Sequence, residues 1–286
     1  MSMGETKIRE EICRLGRSLF ARGLTPGSSG NISVKLDDGG WLVTPTNASL
    51  GFLDPATLSR LDAHDQLLSG RPPTKEIPLH SALYETRGSA RAIVHLHSTH
   101  SVAVSMIPGI DPANALPAMT AYQIMRVGRI ALVPYYRPGD PAISAAIRGL
   151  AGKYSALLLS NHGPVVAGDT LDAAVAAIAE LEETAKLFLL LDGKTYLSLT
   201  QEQIEELRRH FNINYRSNDA PPNIKDMKWP AVLPIFRHNF TALRYSSELA
   251  QYYLHVRRGG LNADGSCRGF QPAAADAGAL RRRTRK

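Results

Sequence analysis

The amino-acid sequence predicts an α/β fold in which helices alternate with short, hairpin-linked strands. Apolar residues recur at helical spacing from about Lys7 to Arg22, and Gly23 follows, which is typical of an amphipathic helix that ends at a glycine. The runs ISVKL and WLVTP then flank an Asp-Asp-Gly-Gly turn, which is typical of a β-hairpin. Alternating helices and hairpins of this kind allow a layered α/β architecture.

The chain continues this alternation to about residue 213. Residues 53–73 predict a turn and one short strand, and MTAYQIMRVG fits either a helix or an extended segment. A helix is expected behind Asp140 as the N-cap and Pro141 in the first turn. The other expected helices are LHSALYETR, TLDAAVAAIAELEETAKLFLLLD and QEQIEELRRHF. The other expected strands are AIVHLHS, the run SVAVSMI that continues its pattern, IALVPYY, and the two runs flanking Asn-His-Gly in YSALLLSNHGPVVAG.

The composition is that of an ordinary soluble globular protein, with 44% hydrophobic and 21% charged residues. No run approaches the ~18 consecutive apolar residues of a membrane-spanning helix. The amino terminus is charged and lacks the apolar core of a signal peptide, so we expect a cytoplasmic protein without a membrane partner. Cys13 and Cys267 lie far apart and have no CxxC partner, which indicates neither a disulfide framework nor a cysteine zinc site.

The stretch from Pro73 to His100 carries the densest chemistry in the chain. His95 and His97 are two residues apart in a predicted strand, where alternate side chains point to one face, and this is a metal-ligand spacing. Glu76 stands at the start of a predicted helix, so its carboxylate and the two imidazoles are placed to converge.

His162 lies in an Asn-His-Gly turn at the end of a strand, where catalytic side chains commonly project, although a lone core histidine is more often structural. With Glu76, His95 and His97 it would complete a tetrahedral site for zinc or a similar divalent ion. The other histidines have no comparable setting and are expected to be surface or structural residues: His64, His80, His100, His210, His238 and His255.

The GSSGN segment before the hairpin offers backbone N–H groups that suit a phosphate, but it lacks the lysine and the spacing of a P-loop, which by itself favours a flexible connection. The succession GSSGNIS, LVTPTNAS, PTKEIPLHSALYETR, IVHLHSTHSVAVS, VPYYRPGDP and SNHGPVVAG resembles the class II aldolase/adducin family from about residue 5 to 213. Within that family, PTKE followed by PLH, and YYRPGD, are most similar to the 3-oxo-tetronate 4-phosphate decarboxylases.

This resemblance implies a three-layer αβα fold with a largely antiparallel central sheet, which the alternating hairpins and helices also allow. It implies a homotetramer with active sites between subunits, and residues 1–213 as the catalytic domain. Through the H-x-H and NHG motifs it assigns metal binding to His95, His97 and His162. It makes Glu76 the acid/base, and also a metal ligand before substrate enters.

The resemblance further implies a phosphate-binding site formed by Gly30, Asn31, Thr46, Asn47, Thr74 and Lys75. Lys75 replaces one of two serines that the aldolases usually carry there, and its charge would engage either the phosphate or an additional carboxylate of the substrate. Tyr122 lies near a position where relatives supply a catalytic tyrosine from the neighbouring subunit.

The implied reaction is metal-dependent decarboxylation of a 3-oxo-tetronate 4-phosphate to dihydroxyacetone phosphate and CO2 through an enediolate. One divalent ion per subunit is expected, as zinc, with manganese, iron or cobalt as alternatives. Glu76, with its pKa raised by burial, would protonate the enediolate carbon. A fuculose-phosphate-like class II aldolase reaches the same enediolate from a sugar phosphate and remains an alternative. So do an epimerase and a non-catalytic adducin-like scaffold, but a scaffold has no need of the glutamate and three histidines together.

The final quarter of the chain differs from the rest in charge. Residues 1–213 hold 20 Lys and Arg against 21 Asp and Glu, whereas residues 214–286 hold 13 against 5. We expect residues 214–286 to be a basic, partly disordered extension with a helix around Ser246 to Val256. The family resemblance makes Tyr215 a candidate for the mobile tyrosine that relatives supply to the site from the region after the last helix. The terminal RRRTRK favours a solvated tail over contact with nucleic acid.

Overall fold

The computed structural model describes residues 4–150 and 152–213. The α-helices in this part of the chain are α1 (Glu5–Ala21), α2 (Ile77–Thr86), α3 (Thr99–Val104), α4 (Ala121–Arg126), α5 (Ala142–Gly149), α6 (Leu171–Leu190) and α7 (Gln201–His210). The strands are β1 (Asn31–Lys35), β2 (Trp41–Val43), β3 (Ser59–Leu61), β4 (Leu67–Ser69), β5 (Ala92–His95), β6 (Ile130–Val133), β7 (Ala156–Leu159) and β8 (Gly163–Gly168). Two 3-10 turns, Leu50–Phe52 and Pro55–Thr57, connect β2 to β3.

The strands form one sheet in the order β4-β3-β2-β1-β5-β8-β7-β6. All neighbouring pairs are antiparallel except β6 and β7, which run parallel. The pairing of β1 with β5 places Asn31 opposite His95 at one end of the sheet. The largely antiparallel central sheet that the sequence predicts is therefore confirmed.

Helices cover both faces of the sheet, because successive strand side chains point to opposite sides and both sides are apolar. Ile32, Val34 and Val94 belong to one buried cluster, which α1 and α6 complete. Ile93 and Leu157 belong to the other, which α2 and α5 complete. The result is the expected three-layer αβα arrangement.

Local signals in the sequence set several helix ends as predicted. Gly23 adopts a left-handed φ of +73° just after α1, a conformation that favours glycine. At α6 the Thr170 hydroxyl accepts a hydrogen bond from the Ala173 N–H, and at α5 Asp140 Oδ1 accepts one from the Ala142 N–H at 3.0 Å. These side chains satisfy backbone donors that a helix start leaves unpaired.

Three segments depart from or refine the sequence predictions. Residues 53–73 contain two strands, β3 and β4, because the Asp62 carboxylate accepts hydrogen bonds from the His64 and Gln66 N–H groups and tightens the turn between them. SVAVSMI lies largely within α3 and the turns that follow it, so its expected strand is wrong. MTAYQIMRVG, for which both states were open, forms the helix α4, capped by the Thr120 hydroxyl.

The helix expected around Ser246 to Val256, the candidate Tyr215 and the basic terminus all lie outside the described residues. Among the residues that are described, no helix has the length and the apolar character that crossing a membrane requires.

Candidate active site

Four side chains from three separate segments of the chain meet at one end of the sheet. Glu76 directly precedes α2, His95 is the last residue of β5, His97 follows two residues later, and His162 stands in the turn between β7 and β8. Their candidate ligand atoms all lie within 4.8 Å of one another. The structure thus brings together the predicted acid and the three predicted metal ligands.

Two glycines permit this convergence because the backbone passes too close there for a side chain. At Gly163, with φ of +153°, a Cβ atom would stand 2.2 Å from the Leu96 carbonyl oxygen. This contact presses the His162 turn against the segment that holds His95 and His97. At Gly30, with φ of +79°, a Cβ atom would stand 2.8 Å from the His95 carbonyl oxygen. Any larger residue at either position would push the site apart.

The strand geometry that predicts the histidine pair holds only in part. β5 ends at His95, so His97 lies beyond the regular strand. The two imidazoles nevertheless approach each other, with Nε2 atoms 3.2 Å apart and ring centroids 5.0 Å apart. The His162 ring lies 4.8 Å from each of them. Three imidazoles therefore surround one point.

Glu76 closes the fourth side of this group. Its Oε2 atom lies 3.3 Å from His95 Nε2, and its Oε1 atom lies 3.3 Å from His162 Nε2. One carboxylate thus reaches two of the three rings, and each of its oxygens faces a different ring.

The donor set fits a divalent cation. His95 Nδ1 lies 2.9 Å from the Pro164 carbonyl oxygen and donates to it, which leaves Nε2 as the unprotonated, lone-pair nitrogen facing the cluster. His162 Nε2 is buried and has no hydrogen-bond partner within the described part of the chain. Converging imidazole nitrogens and a carboxylate oxygen, including a buried nitrogen without a hydrogen-bond partner, form a donor set that a bound cation would satisfy.

The charge states of the four groups agree with that fit. Burial lowers the pKa values of His95 and His97, and it lowers the pKa of His162 to about 4. All three rings are therefore neutral near pH 7, which is the form that binds metals. Burial also disfavours a charged Glu76, but His95, His162 and the Asn31 amide outweigh it and lower the pKa of Glu76 to about 2. The expected upward shift of the Glu76 pKa is wrong because its surroundings are polar.

A buried hydrogen-bond network that begins at Asn31 orients the Glu76 carboxylate. Asn31 Nδ2 donates to Glu76 Oε2 at 2.7 Å, and His80 Nε2 donates to Asn31 Oδ1 at 2.5 Å. His80 Nδ1 in turn accepts a hydrogen bond from the Ser33 hydroxyl at 2.7 Å. The same Ser33 oxygen lies 2.8 Å from the Tyr84 hydroxyl oxygen. This assignment fixes which end of the Asn31 amide faces the carboxylate.

His80 is a site-supporting residue that the sequence analysis missed, since it had only the general expectation of a surface or structural histidine. His80 is fully buried, and burial lowers its pKa to about 3, so the ring is neutral. One signal was available in the sequence. His80 follows Glu76 by four residues at the start of a helix, and residues so spaced lie on one face.

The segments predicted to hold phosphate lie side by side next to Glu76. Asn31 Nδ2 lies 3.2 Å from Thr74 Oγ1, and the Thr74 N–H donates to the Thr44 carbonyl oxygen at 3.2 Å. The Thr46 N–H donates to the Pro72 carbonyl oxygen at 3.0 Å. The loop that contains Gly30 and the segments around Thr46 and Thr74 therefore share one border of the site.

The remaining candidates lie at or beyond the edge of the cluster. Lys75 and Asn47 are exposed, and Asn47 has a left-handed φ of 56°. Tyr122 is 55% exposed on α4 and lies outside the cluster, with the Arg126 guanidinium over its ring. Its expected role in a neighbouring subunit stays a prediction. His100 also lies outside the cluster, because its Nδ1 atom binds Glu182 at 2.8 Å.

Comparison with known proteins places this geometry in a family. Residues 10–189 match the family described as Class II Aldolase and Adducin N-terminal domain. The chain is 47% identical over 204 residues to 3-oxo-tetronate 4-phosphate decarboxylase of Escherichia coli strain K12, covering 71% of this chain and 96% of that protein. It is 48% identical over 187 residues to the Cupriavidus necator protein of the same name, covering 65% and 86%.

A solved structure shows the same fold. The crystal structure of YgbL from Klebsiella pneumoniae, whose activity is given only as aldolase, epimerase or decarboxylase, is 46% identical with a TM-score of 0.70. That comparison covers 72% of this chain and all of the other. The chain therefore belongs to the class II aldolase/adducin family.

Proposed function

We propose that this protein is a metal-dependent decarboxylase that converts a 3-oxo-tetronate 4-phosphate into dihydroxyacetone phosphate and CO2. The observation that carries the proposal is the convergence of Glu76 with three neutral imidazoles in a chain 47% identical to decarboxylases of that substrate. A buried carboxylate and three imidazole nitrogens can together hold a metal ion that stabilises negative charge on a substrate. A non-catalytic scaffold has no need of such a set.

His95, His97 and His162 would hold the divalent ion, which we propose to be zinc, with manganese, iron or cobalt as the other candidates. Bound there, the ion supplies Lewis-acid stabilisation of the negative charge that develops on the substrate oxygens as CO2 leaves. The protein contributes preorganised imidazoles, since the Pro164 carbonyl fixes the His95 tautomer.

The substrate's phosphate would be held at the border formed by Gly30, Asn31, Thr46, Asn47, Thr74 and Lys75. Asn31 and Thr74 contact each other and lie beside Glu76, so a phosphate gripped there places the neighbouring ketone next to the cluster. Lys75 is exposed at this border and adds a positive charge for an anionic ligand.

Glu76 would deliver the proton that replaces CO2 on the substrate carbon. Because Asn31 donates to Oε2, the proton would reside on Oε1, the oxygen that faces His162. Glu76 is ionised without substrate, as its low pKa indicates. An anionic substrate beside it raises the pKa of this carboxyl group and favours the protonated form that can act as a general acid.

The assembly is proposed as a homotetramer in the cytoplasm, in which Tyr122 of one subunit acts at the site of its neighbour. The exposure of Tyr122 outside its own cluster supports this arrangement. Residues 1–213 would form the catalytic domain, and residues 214–286 a basic extension.

The direct test is to supply purified protein with 3-oxo-tetronate 4-phosphate and to measure CO2 and dihydroxyacetone phosphate together. We expect stoichiometric release of both. Release of an aldehyde from a ketose phosphate, with no CO2 from the tetronate, would instead assign the protein to the sugar-phosphate aldolases, which break a different bond to reach the same enediolate.

A further inference from the structure

The turn formed by Arg137, Pro138, Gly139 and Asp140 packs directly against the residue that precedes Glu76. The Asp140 N–H donates to the Arg137 carbonyl oxygen at 3.0 Å, and Gly139 has φ of +78°, as in a turn with proline second and glycine third. A Cβ atom on Gly139 would stand 2.9 Å from the Lys75 carbonyl oxygen. The turn therefore rests on the backbone beside Glu76 with no side chain between.

Helix α5 holds this turn in place. Asp140 Oδ1 accepts from the Ala142 N–H at 3.0 Å, and the Ser144 hydroxyl donates to the Pro78 carbonyl oxygen in α2 at 2.8 Å. Ile143 of α5 is buried in the core cluster that α2 shares. The Arg137 backbone is thus fixed relative to Glu76 by two helices.

Arg137 also borders the site itself. A small crevice next to the cluster is lined by Arg137, Tyr136 and Gly139 on one side and by Glu76 and His162 on the other. The Arg137 side chain is 69% exposed, and among the described residues its ion pair is with Asp140, whose Oδ2 atom lies 3.6 Å from Arg137 Nε. An exposed pair at this distance contributes little energy, so the guanidinium is available to a stronger anion.

The two carboxylate oxygens of Glu76 face opposite parts of the site. Oε2 faces Asn31, which together with Thr74 belongs to the proposed phosphate-binding site. Oε1 faces His162, on the side of the Arg137 crevice. A 3-oxo-tetronate 4-phosphate carries its phosphate on C4 and its carboxylate at C1, so a molecule that lies across the cluster presents its carboxylate at the Arg137 end.

We infer that Arg137 binds the substrate's carboxylate and thereby selects a carboxylated substrate over an uncarboxylated one. This inference rests on the proposed function. A guanidinium pairs with a carboxylate through two parallel N–H donors, a geometry that Lys75 cannot offer.

The chemistry predicts how Arg137 divides its effect between binding and turnover. The carboxylate loses its charge as it becomes CO2, so its bond to Arg137 is stronger in the bound substrate than in the transition state. Removal of the guanidinium should therefore raise KM without lowering kcat.

The experiment compares two inhibitors on purified full-length protein loaded with metal. A tetronate 4-phosphate keeps the carboxylate but has a hydroxyl at C3, whereas dihydroxyacetone phosphate has no carboxylate. For Arg137→Ala we expect the inhibition constant of the first to rise about 10- to 100-fold, the range for a hydrogen-bonded charge, and that of the second to change less than about twofold. Arg137→Lys should fall between the wild type and Arg137→Ala.

Arg148→Ala is the matched control, since it removes an exposed guanidinium of α5 that pairs with Glu85 at 2.6 Å, outside the site.

Equal increases in the two inhibition constants for Arg137→Ala would mean that Arg137 binds phosphate or supports the fold. No increase in either constant would mean that Arg137 binds neither inhibitor. Each of these results overturns the inference. Wild-type protein that releases no CO2 overturns the proposed function and the inference together, whereas normal CO2 release with an unchanged inhibitor ratio overturns the inference alone.

Discussion

His80 Nε2 lies 2.5 Å from Asn31 Oδ1, so a neutral histidine buried in α2 fixes the amide that binds Glu76. Without that donor the Asn31 amide is free to turn over and present its oxygen to the carboxylate. Two acceptors would then face each other in a buried site, which is unfavourable. The relationship makes His80 a positioning residue whose effect is transmitted through Asn31.

His80→Phe removes this donor while keeping a planar ring beside Trp41, with which His80 stacks at 6.2 Å. We expect kcat to fall about 10-fold, within the range of general acid–base effects, with KM and metal content little changed. Tyr84→Phe, at the far end of the network, should lower kcat far less. Equal loss of kcat in both variants, or a loss of bound metal in His80→Phe, would contradict positioning through Asn31.

Removing two of the three imidazoles tests the metal centre. The double variant His95→Ala with His97→Ala leaves only His162 and Glu76, too few ligands for tight binding of a divalent ion. We expect loss of metal content, measured by elemental analysis of dialysed protein, together with loss of CO2 release. His64→Ala, an exposed histidine outside the cluster, is the control. Full turnover after chelation and in the double variant would rule out a metalloenzyme.

Glu76→Gln tests the acid/base role without changing the size of the side chain. The amide oxygen can still accept from Asn31, so metal and substrate should remain bound. Turnover should fall about 10²-fold or more, because the proton donor is missing. The measurement is single-turnover CO2 release alongside substrate binding by calorimetry. Unchanged turnover would remove Glu76 from this role.

Glu182 gives a prediction about stability and pH that is independent of the site. This buried carboxylate of α6 accepts the N–H groups of His100 and Ser101 and the Ser101 hydroxyl at 2.6–2.9 Å, which caps α3. Burial raises its pKa, but the Ser101 hydroxyl and these N–H donors outweigh it, so the pKa is lowered from the ordinary 4.5. A lowered carboxyl pKa adds stability above about pH 4.5 that is lost as the pH falls through the folded-state value.

Glu182→Gln should therefore lower the free energy of unfolding by about 1–3 kcal/mol at pH 7, the cost of weakening charged hydrogen bonds in a buried place. The deficit relative to wild type should shrink as the pH falls below about 4.5. Urea unfolding at a series of pH values checks both points, with the exposed neighbour Glu183→Gln as the control. A deficit that stays constant down to pH 3.5 would show that the charge of Glu182 does not matter.

At α3 and at β5 the structure differs from what the local sequence pattern predicts. SVAVSMI alternates as a strand does, yet the Glu182 carboxylate, more than eighty residues along the chain, caps it as a helix. His95 and His97 have the spacing of strand neighbours, but β5 ends at the first of them. At α3 a contact from a distant segment overrode the local pattern.

Local patterns and motifs in the sequence were enough to predict the α/β layering, the first hairpin, the ends of α1 and α6, and the four residues that meet in the cluster. The layering, the hairpin and the helix ends follow from periodicity, turn residues and caps, which act over a few neighbouring positions, whereas the four site residues follow from the motifs that the chain shares with its family. The three-dimensional structure was needed to show that Glu76 is ionised, that His80 supports it through Asn31, and that Arg137 lines the crevice beside Glu76 and His162. Those facts depend on which charges, donors and backbone segments the fold brings within a few ångströms, and such proximity is set by long-range packing.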